Sequence, residues 1–68
     1  MNYEQFNRLY DGQKVICNQD HHEFKKGDVA TVKFQYYGER MYYRWAITKD
    51  GRTDVLDAFH KYWEEDND

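Results

Sequence analysis

The sequence has no proline, a single cysteine and no long apolar run. One cysteine cannot form an internal disulfide, and no Cys/His spacing suited to structural zinc is present. No segment approaches the roughly 20 apolar residues of a membrane-spanning helix, and the N-terminus lacks a signal-peptide pattern. A lone thiol at Cys17 without a secretion signal suits a reducing compartment. We therefore expect a soluble cytoplasmic protein.

What the chain has in abundance is aromatic side chains. Seven Tyr, four Phe and two Trp make up 19% of its 68 residues. A chain of this length forms one domain, residues 1–68, and buries only about 60% of its unfolded surface. Each aromatic side chain can bury about 150–250 Å². The aromatics are therefore expected to supply much of a small core.

The N-terminal third predicts one helix and one strand. Residues 2–10 place Tyr3, Phe6, Leu9 and Tyr10 on one helical face, with Asn2 as N-cap and Gln5 completing a capping box. Residues 13–18 alternate as a strand with Val15 and Cys17 on one side. Residues 19–27 follow as a long polar loop that has one apolar anchor, Phe24.

Residues 26–45 read as the main β-hairpin of the chain. Strand 28–36 and strand 41–48 both alternate, and residues 37–40 connect them around Gly38. Because one set in each strand is apolar, both sets are predicted to face the core. The inward sets are Ala30, Val32, Phe34 and Tyr36 in the first strand and Met41, Tyr43, Trp45 and Ile47 in the second.

The C-terminal third begins at Asp50-Gly51, a sequence preferred in two-residue type I′ turns. This turn would pair Thr48 with Thr53 and put Asp54 on the inner face, so we expect the strand to end near residue 53 or 54. Residues 54–65 then predict a helix with an apolar stripe, and residues 65–68 are expected to fray. The stripe consists of Val55, Leu56, Phe59, Tyr62 and Trp63.

The segment Phe24-Lys25-Lys26-Gly27-Asp28-Val29-Ala30-Thr31-Val32, reached after a long polar loop, resembles the first two strands of small SH3-like barrels. It is most similar to the very short barrels encoded by bacteriophages and bacterial mobile elements, and the similarity covers residues 12–48. The resemblance implies a binding module instead of an enzyme, with a 3₁₀ turn and a fifth strand closing the barrel. The predicted helix at residues 54–65 departs from that pattern.

Residues that could carry chemistry do not form a recognisable catalytic pattern. His21 and His22 lie in a polar loop with Asp20 and Glu23, but adjacent histidines point in different directions and a structural zinc site needs four converging ligands. Cys17 with a histidine could act as nucleophile and base, although nothing in the sequence orients such a pair. We predict no catalytic residues, no metal site and no cofactor.

A binding surface remains, and charge guides the choice of partner. Residues 24–53 carry a net charge of +4 and residues 54–68 one of −5. Since the total charge is −3, a protein partner is favoured, with nucleic acid bound by the basic aromatic hairpin as the alternative. The candidate binding residues are Tyr37, Arg40, Tyr42, Arg44, Arg52, Asp57 and Glu64.

The fold prediction is an α+β domain. It consists of a small antiparallel SH3-like sheet or partial barrel of three to five strands, with a short N-terminal helix and a C-terminal helix. The functional prediction is a non-catalytic protein-interaction module that modulates or inhibits a bacterial host protein.

Overall fold

The computed structural model describes residues 1–66 as an α+β domain built on a five-stranded antiparallel sheet with short helices. The strands are ordered β4-β3-β2-β1-β5, so β1 lies between β2 and the last strand. Along the chain the elements are α1 (Tyr3–Asn7), β1 (Lys14–Cys17), β2 (Val29–Tyr36), β3 (Tyr42–Thr48), β4 (Thr53–Val55), α2 (Leu56–Phe59), a 3₁₀ turn (His60–Tyr62) and β5 (Trp63–Glu65).

Helix α1 begins with the predicted capping box. The Asn2 side chain accepts the Gln5 backbone N–H at 2.8 Å, and the Gln5 side chain accepts the Asn2 N–H at 3.0 Å. The helix is shorter than predicted, and of its expected face only Phe6 and the following Leu9 are buried. Such a short helix has little stability alone. Its packing against the sheet therefore holds it in place.

The two faces of β3 are the reverse of those predicted. In the β2–β3 register Ala46 lies opposite Val32, and Arg44 lies opposite Phe34. Directly opposed residues share a face, and Val32 and Ala46 are both completely buried. The inward residues of β3 are therefore Tyr42, Arg44, Ala46 and Thr48. The prediction that Met41, Tyr43, Trp45 and Ile47 form the core was wrong.

The length of the β2–β3 connection explains this reversal. We expected a four-residue connection at positions 37–40, but five residues, 37–41, separate the two strands. Because side chains alternate with a period of two, a shift of one residue exchanges the inner and outer sets of a whole strand. Tyr36 also lies outside the core and is 62% exposed.

The β3–β4 turn is one residue longer than predicted. Ile47 pairs with Thr53, so Thr48 lies opposite Arg52 and three residues connect them. Gly51 has φ of +87°, a conformation in which a Cβ atom would be strained. Strand β4 continues through Asp54, which is buried opposite Ala46, whereas we expected the strand to end to avoid this burial.

The predicted helix at residues 54–65 does not form. Instead α2 and the 3₁₀ turn together span Leu56–Tyr62, and Trp63–Glu65 pair with β1 as a fifth strand. This pairing satisfies backbone groups at an edge of β1 that a helix would leave open. Glu65 is thus part of the sheet, while the fraying predicted for the last two residues lies outside the part of the chain described.

One hydrophobic cluster lies on the inner face of the sheet. Its largest completely buried side chains are Trp63, Phe24 and Leu56, so the loop anchor Phe24 is confirmed. Val15 and Cys17 are buried as β1 alternation predicted. Within residues 1–66, no helix has both the length and the apolar character needed to cross a membrane.

Candidate functional site

The outer face of the sheet carries the apolar residues of β3. Tyr43 is 43% exposed, and Trp45 and Ile47 are partly exposed. The neighbouring strands extend this surface with Val29, which is 44% exposed, and the partly exposed Val55. We call the surface formed by Val29, Tyr43, Trp45, Ile47 and Val55 the outer apolar face. Contiguous exposed apolar residues of this kind are typical of interaction surfaces.

Three lysines border the outer apolar face. Lys14 lies opposite Thr31 in the register, Lys33 lies opposite Trp45, and Lys49 follows β3 in the turn. Two shallow depressions on this face share Lys33 and Ile47 in their lining, so they are continuous. Among residues 1–66, none of the three ammonium groups has a carboxylate oxygen within 4.0 Å.

Tyrosines extend this surface toward the tip of the β2–β3 hairpin. The rings of Tyr37 and Tyr43 stack with centroids 4.9 Å apart, which fixes both side chains at low entropic cost. Tyr37 is 55% exposed and Met41 is 57% exposed. Arg40 lies in the exposed connection between them. Of the candidate binding residues, Tyr37 and Arg40 thus lie at an accessible end of the sheet.

Arg44 and Tyr42 belong to the inner face instead. The Arg44 guanidinium carbon lies 4.6 Å from the Phe6 ring centroid and 5.2 Å from that of Phe34. Its Nη2 donates to the Tyr42 hydroxyl at 3.1 Å, and the Tyr42 ring stacks on Phe34. Arg44 is only 8% exposed, so it contributes to packing between α1 and the sheet.

Arg52 is held by two carboxylates beside the turn. Its guanidinium donates to Asp50 and to Asp28, each at 3.0 Å, and to the Glu23 carbonyl at 2.8 Å. Hydrogen bonds to Asp50 and Asp28 raise the pKa of Arg52. The pKa of Asp28 is lowered, first by the Lys25 backbone N–H and then by Arg52. These contacts tie the β1–β2 loop to the β3–β4 turn.

The acidic candidates also have internal partners. Asp57 accepts the backbone N–H of Arg44 at 2.8 Å, which joins α2 to β3. Glu64 lies 3.0 Å from the N-terminal ammonium of Met1 and accepts the Asn18 amide at 3.0 Å. Both carboxylates therefore position secondary structure, in addition to any role they have in binding.

A second cluster lies where the β1–β2 loop meets β4. His21 Nε2 lies 2.7 Å from Asp54 Oδ2, and His21 Nδ1 lies 3.5 Å from Cys17 Sγ. The order thiol, imidazole, carboxylate is that of a nucleophilic triad. However, Cys17 is 2% exposed, its thiol donates to the Gln19 carbonyl, and burial raises its pKa. An activated thiolate requires the opposite shift.

His22 lies at the solvent-exposed side of the same cluster. Its Nδ1 is 3.9 Å from Asp54 Oδ1, and the ligand atoms of His21, His22 and Asp54 all lie within 4.8 Å of one another. Although sequence reasoning expected adjacent histidines to point apart, both approach one carboxylate. The missed partner was Asp54, which is distant in sequence and carries no local signal of proximity.

Sequence reasoning also missed the outer apolar face, because it assigned Trp45 and Ile47 to the core. The sequence carried no local signal for the actual arrangement, in which the small Ala46 and the polar Thr48 face inward. Comparison of the chain with protein-family models, with curated proteins and with solved structures found no match.

Proposed function

We propose that this protein is a non-catalytic protein-interaction module that binds its partner through the outer apolar face. The observation that carries this proposal is that Tyr43 is exposed and that Trp45 and Ile47 are partly exposed along one strand. Aromatic residues at the centre of an accessible patch are enriched among the residues that dominate binding energy. Folding alone would favour burial of these apolar side chains, so binding to a partner accounts for their outward position.

The charges around this face specify the chemistry of the partner. Lys14, Lys33 and Lys49 surround the apolar centre without intramolecular ion pairs within residues 1–66. A partner surface with an apolar centre and acidic rim would complement them, and the charges would raise the association rate. We expect Tyr37 and Arg40 to contact the partner at the hairpin tip.

We further propose that the fold is a small SH3-like barrel. The strand order β4-β3-β2-β1-β5, the long β1–β2 loop and the 3₁₀ turn before β5 support this proposal. The phage-encoded barrels that residues 12–48 resemble suggest the biological role, which is modulation or inhibition of a bacterial host protein. To bind and modulate another protein, a small surface with one apolar centre is sufficient.

A second candidate is binding of nucleic acid by the same face. It is favoured by Lys33 opposite Trp45, and by Lys14 and Lys49 further along the same face, because lysines neutralise phosphates and aromatics stack on bases. The net charge of −3 opposes it at long range. Nuclease treatment separates the two functions.

The test is capture of a partner from bacterial lysate, with and without nuclease treatment, by the immobilised wild-type protein and three variants. Trp45→Ala and Lys33→Glu alter the outer apolar face and its border. Lys61→Glu is the matched control, since it makes the same charge change on the 3₁₀ turn. We expect a defined protein to be captured by the wild type and Lys61→Glu and lost with the other two.

Two results would contradict this proposal. If the captured protein depends on intact nucleic acid, the second candidate is correct. If Trp45→Ala and Lys33→Glu capture the same partner as the wild type, the outer apolar face is not the binding surface. Circular dichroism of each variant establishes that a loss of capture does not come from unfolding.

A further inference from the structure

The His21 ring lies between two hydrogen-bond acceptors. Its Nδ1 is 3.1 Å from the Gln19 carbonyl, and its Nε2 is 2.7 Å from Asp54 Oδ2. A neutral imidazole has only one N–H, so it can satisfy one of these acceptors but not both. A metal cation bound by Nε2 and the carboxylate resolves this conflict, because the single N–H can then lie on Nδ1 and donate to the Gln19 carbonyl. In metal sites, the ligating histidine commonly donates its other N–H to a backbone carbonyl.

Asp54 is oriented in the way that a metal-ligating carboxylate usually is. The Trp63 indole N–H donates to Oδ2 at 2.8 Å, and both residues are nearly or completely buried. Oδ1 accepts no hydrogen bond from residues 1–66 and points toward His22 Nδ1, 3.9 Å away. A hydrogen bond that fixes the ligand carboxylate from outside is a frequent second-layer feature of such sites.

His22 occupies a backbone conformation that is uncommon for residues other than glycine. It is the first central residue of a two-residue turn, closed by hydrogen bonds of 3.1 and 2.8 Å between His21 and Phe24. Its φ is +50°, and among residues 1–66 it is the only residue other than glycine with a positive φ. Glycine is the usual residue here. Strain of this kind, maintained at a side chain near two potential ligands, points to a function for that side chain.

We propose that His21, His22 and Asp54 form a binding site for a divalent transition metal, of which zinc fits best. Two imidazoles and one carboxylate provide three protein ligands, the number found in open zinc sites, and the fourth position would be taken by water. Zinc bonds of about 2.0–2.2 Å require the donor atoms to lie about 3.4 Å apart. His21 Nε2 lies 2.7 Å from Asp54 Oδ2, His22 Nδ1 lies 3.9 Å from Asp54 Oδ1, and one donor atom from each of the three residues lies within 4.8 Å of the other two, so small side-chain shifts would bring them to this spacing.

The remaining features suit zinc better than calcium or magnesium. The latter ions prefer oxygen ligands, whereas two of the three ligands here are imidazole nitrogens. The His22 side chain is 55% exposed, so it can move toward the other two ligands and leaves a path from solvent, while His21 and Asp54 would have to separate slightly from their 2.7 Å contact. Cys17 Sγ faces the other ring nitrogen of His21 and is not a ligand. Bound metal would link the β1–β2 loop to β4.

Titration of the chelator-treated protein with Zn²⁺ alone, and with Co²⁺ as a spectroscopic probe, tests the site. We expect one ion per chain by calorimetry and a visible Co²⁺ band with nitrogen and oxygen ligation. His22→Gly removes a ligand and also relieves the turn. Its affinity should therefore fall by more than about tenfold, the loss typical for even an outer partner of a ligand, while the Tm of its metal-free form rises.

Two further variants complete the test. His22→Asn removes the imidazole but retains a residue that tolerates positive φ, so it should also lose metal binding. His60→Gln removes the remaining histidine, lies outside the cluster and should bind as the wild type does. Absence of stoichiometric binding, binding unchanged in His22→Gly and His22→Asn, or binding lost in His60→Gln would each overturn the proposal.

Discussion

Asp54 is the buried group whose removal should affect stability most clearly. Its carboxylate is 5% exposed and accepts hydrogen bonds from His21 Nε2 and Trp63 Nε1 at 2.7 and 2.8 Å. Substitution with alanine leaves two buried donors without an acceptor, and each costs about 1–3 kcal/mol. We therefore expect Asp54→Ala to lower the free energy of unfolding by about 2–6 kcal/mol.

That loss is large relative to the stability available. A domain of this size has a free energy of unfolding of about 3–10 kcal/mol, so the variant could be partly unfolded. Asp54→Asn retains one acceptor and the side-chain volume, and it should lose less. Urea unfolding followed by circular dichroism measures both, with a chelator present so that bound metal does not contribute.

A double-mutant cycle isolates the contact with Trp63. Trp63→Phe removes the indole N–H, and the cycle combines it with Asp54→Ala, which removes the acceptor. A hydrogen bond to a charged group contributes about 1.5–3 kcal/mol, so the two substitutions should be coupled by at least about 1 kcal/mol. Additivity within about 0.5 kcal/mol would refute the contact as a determinant of stability.

Two other predictions follow from shifted pKa values. The pKa of Asp28 is lowered below its ordinary 3.8 by the Lys25 N–H and Arg52, so its stabilisation is complete above pH 3.8 and lost as pH falls through the folded-state pKa. Asp28→Asn should thus lower the urea midpoint at neutral pH. Below pH 3.8 the midpoint of the variant should fall less steeply with pH than that of the wild type, and equal slopes in the two proteins would contradict this. Burial raises the pKa of Cys17, so this thiol should react with a chromogenic disulfide only after unfolding; rapid labelling of the native protein would show that it is accessible.

The features that the sequence predicts correctly depend on neighbouring residues. The capping box joins Asn2 and Gln5 within one helical turn, and the alternation of Val15 and Cys17 defines the buried side of β1. Phe24 is an isolated apolar residue in a polar loop, and the sequence indicates its burial because it is the apolar side chain of that loop that gains by leaving water. In the capping box and in β1 the groups concerned are close in sequence. For Phe24, only one side chain has to be assigned to the core.

The faces of β3 could not be assigned in this way. One set, Tyr43, Trp45 and Ile47, is larger and more apolar than the other, and burial area alone favours placing it inward. The actual register depends on a connection of five residues between β2 and β3. Connection lengths are poorly defined by sequence, whereas each one-residue difference exchanges the two faces. The resulting error concealed the outer apolar face.

Burial of Asp54 presented the opposite difficulty. A buried carboxylate is unfavourable unless it is paired, and its partners lie 33 residues before and 9 residues after it. Trp63 could supply its indole N–H only because residues 63–65 form a strand against β1, where the apolar stripe predicted a helix. Without this strand, the sequence offers no reason to bury the charge.

The two departures from the expected pattern coincide with the two proposed sites. An apolar strand face is turned to solvent at Trp45, and a charged group is turned inward at Asp54. Either departure alone costs stability in a chain with so small a core. Deviations from a consistent apolar-in, polar-out pattern tend to be retained where function requires them. If the outer face binds a protein and the inward carboxylate binds a metal, both deviations have a physical reason, and the variants at Trp45 and His22 test these reasons separately.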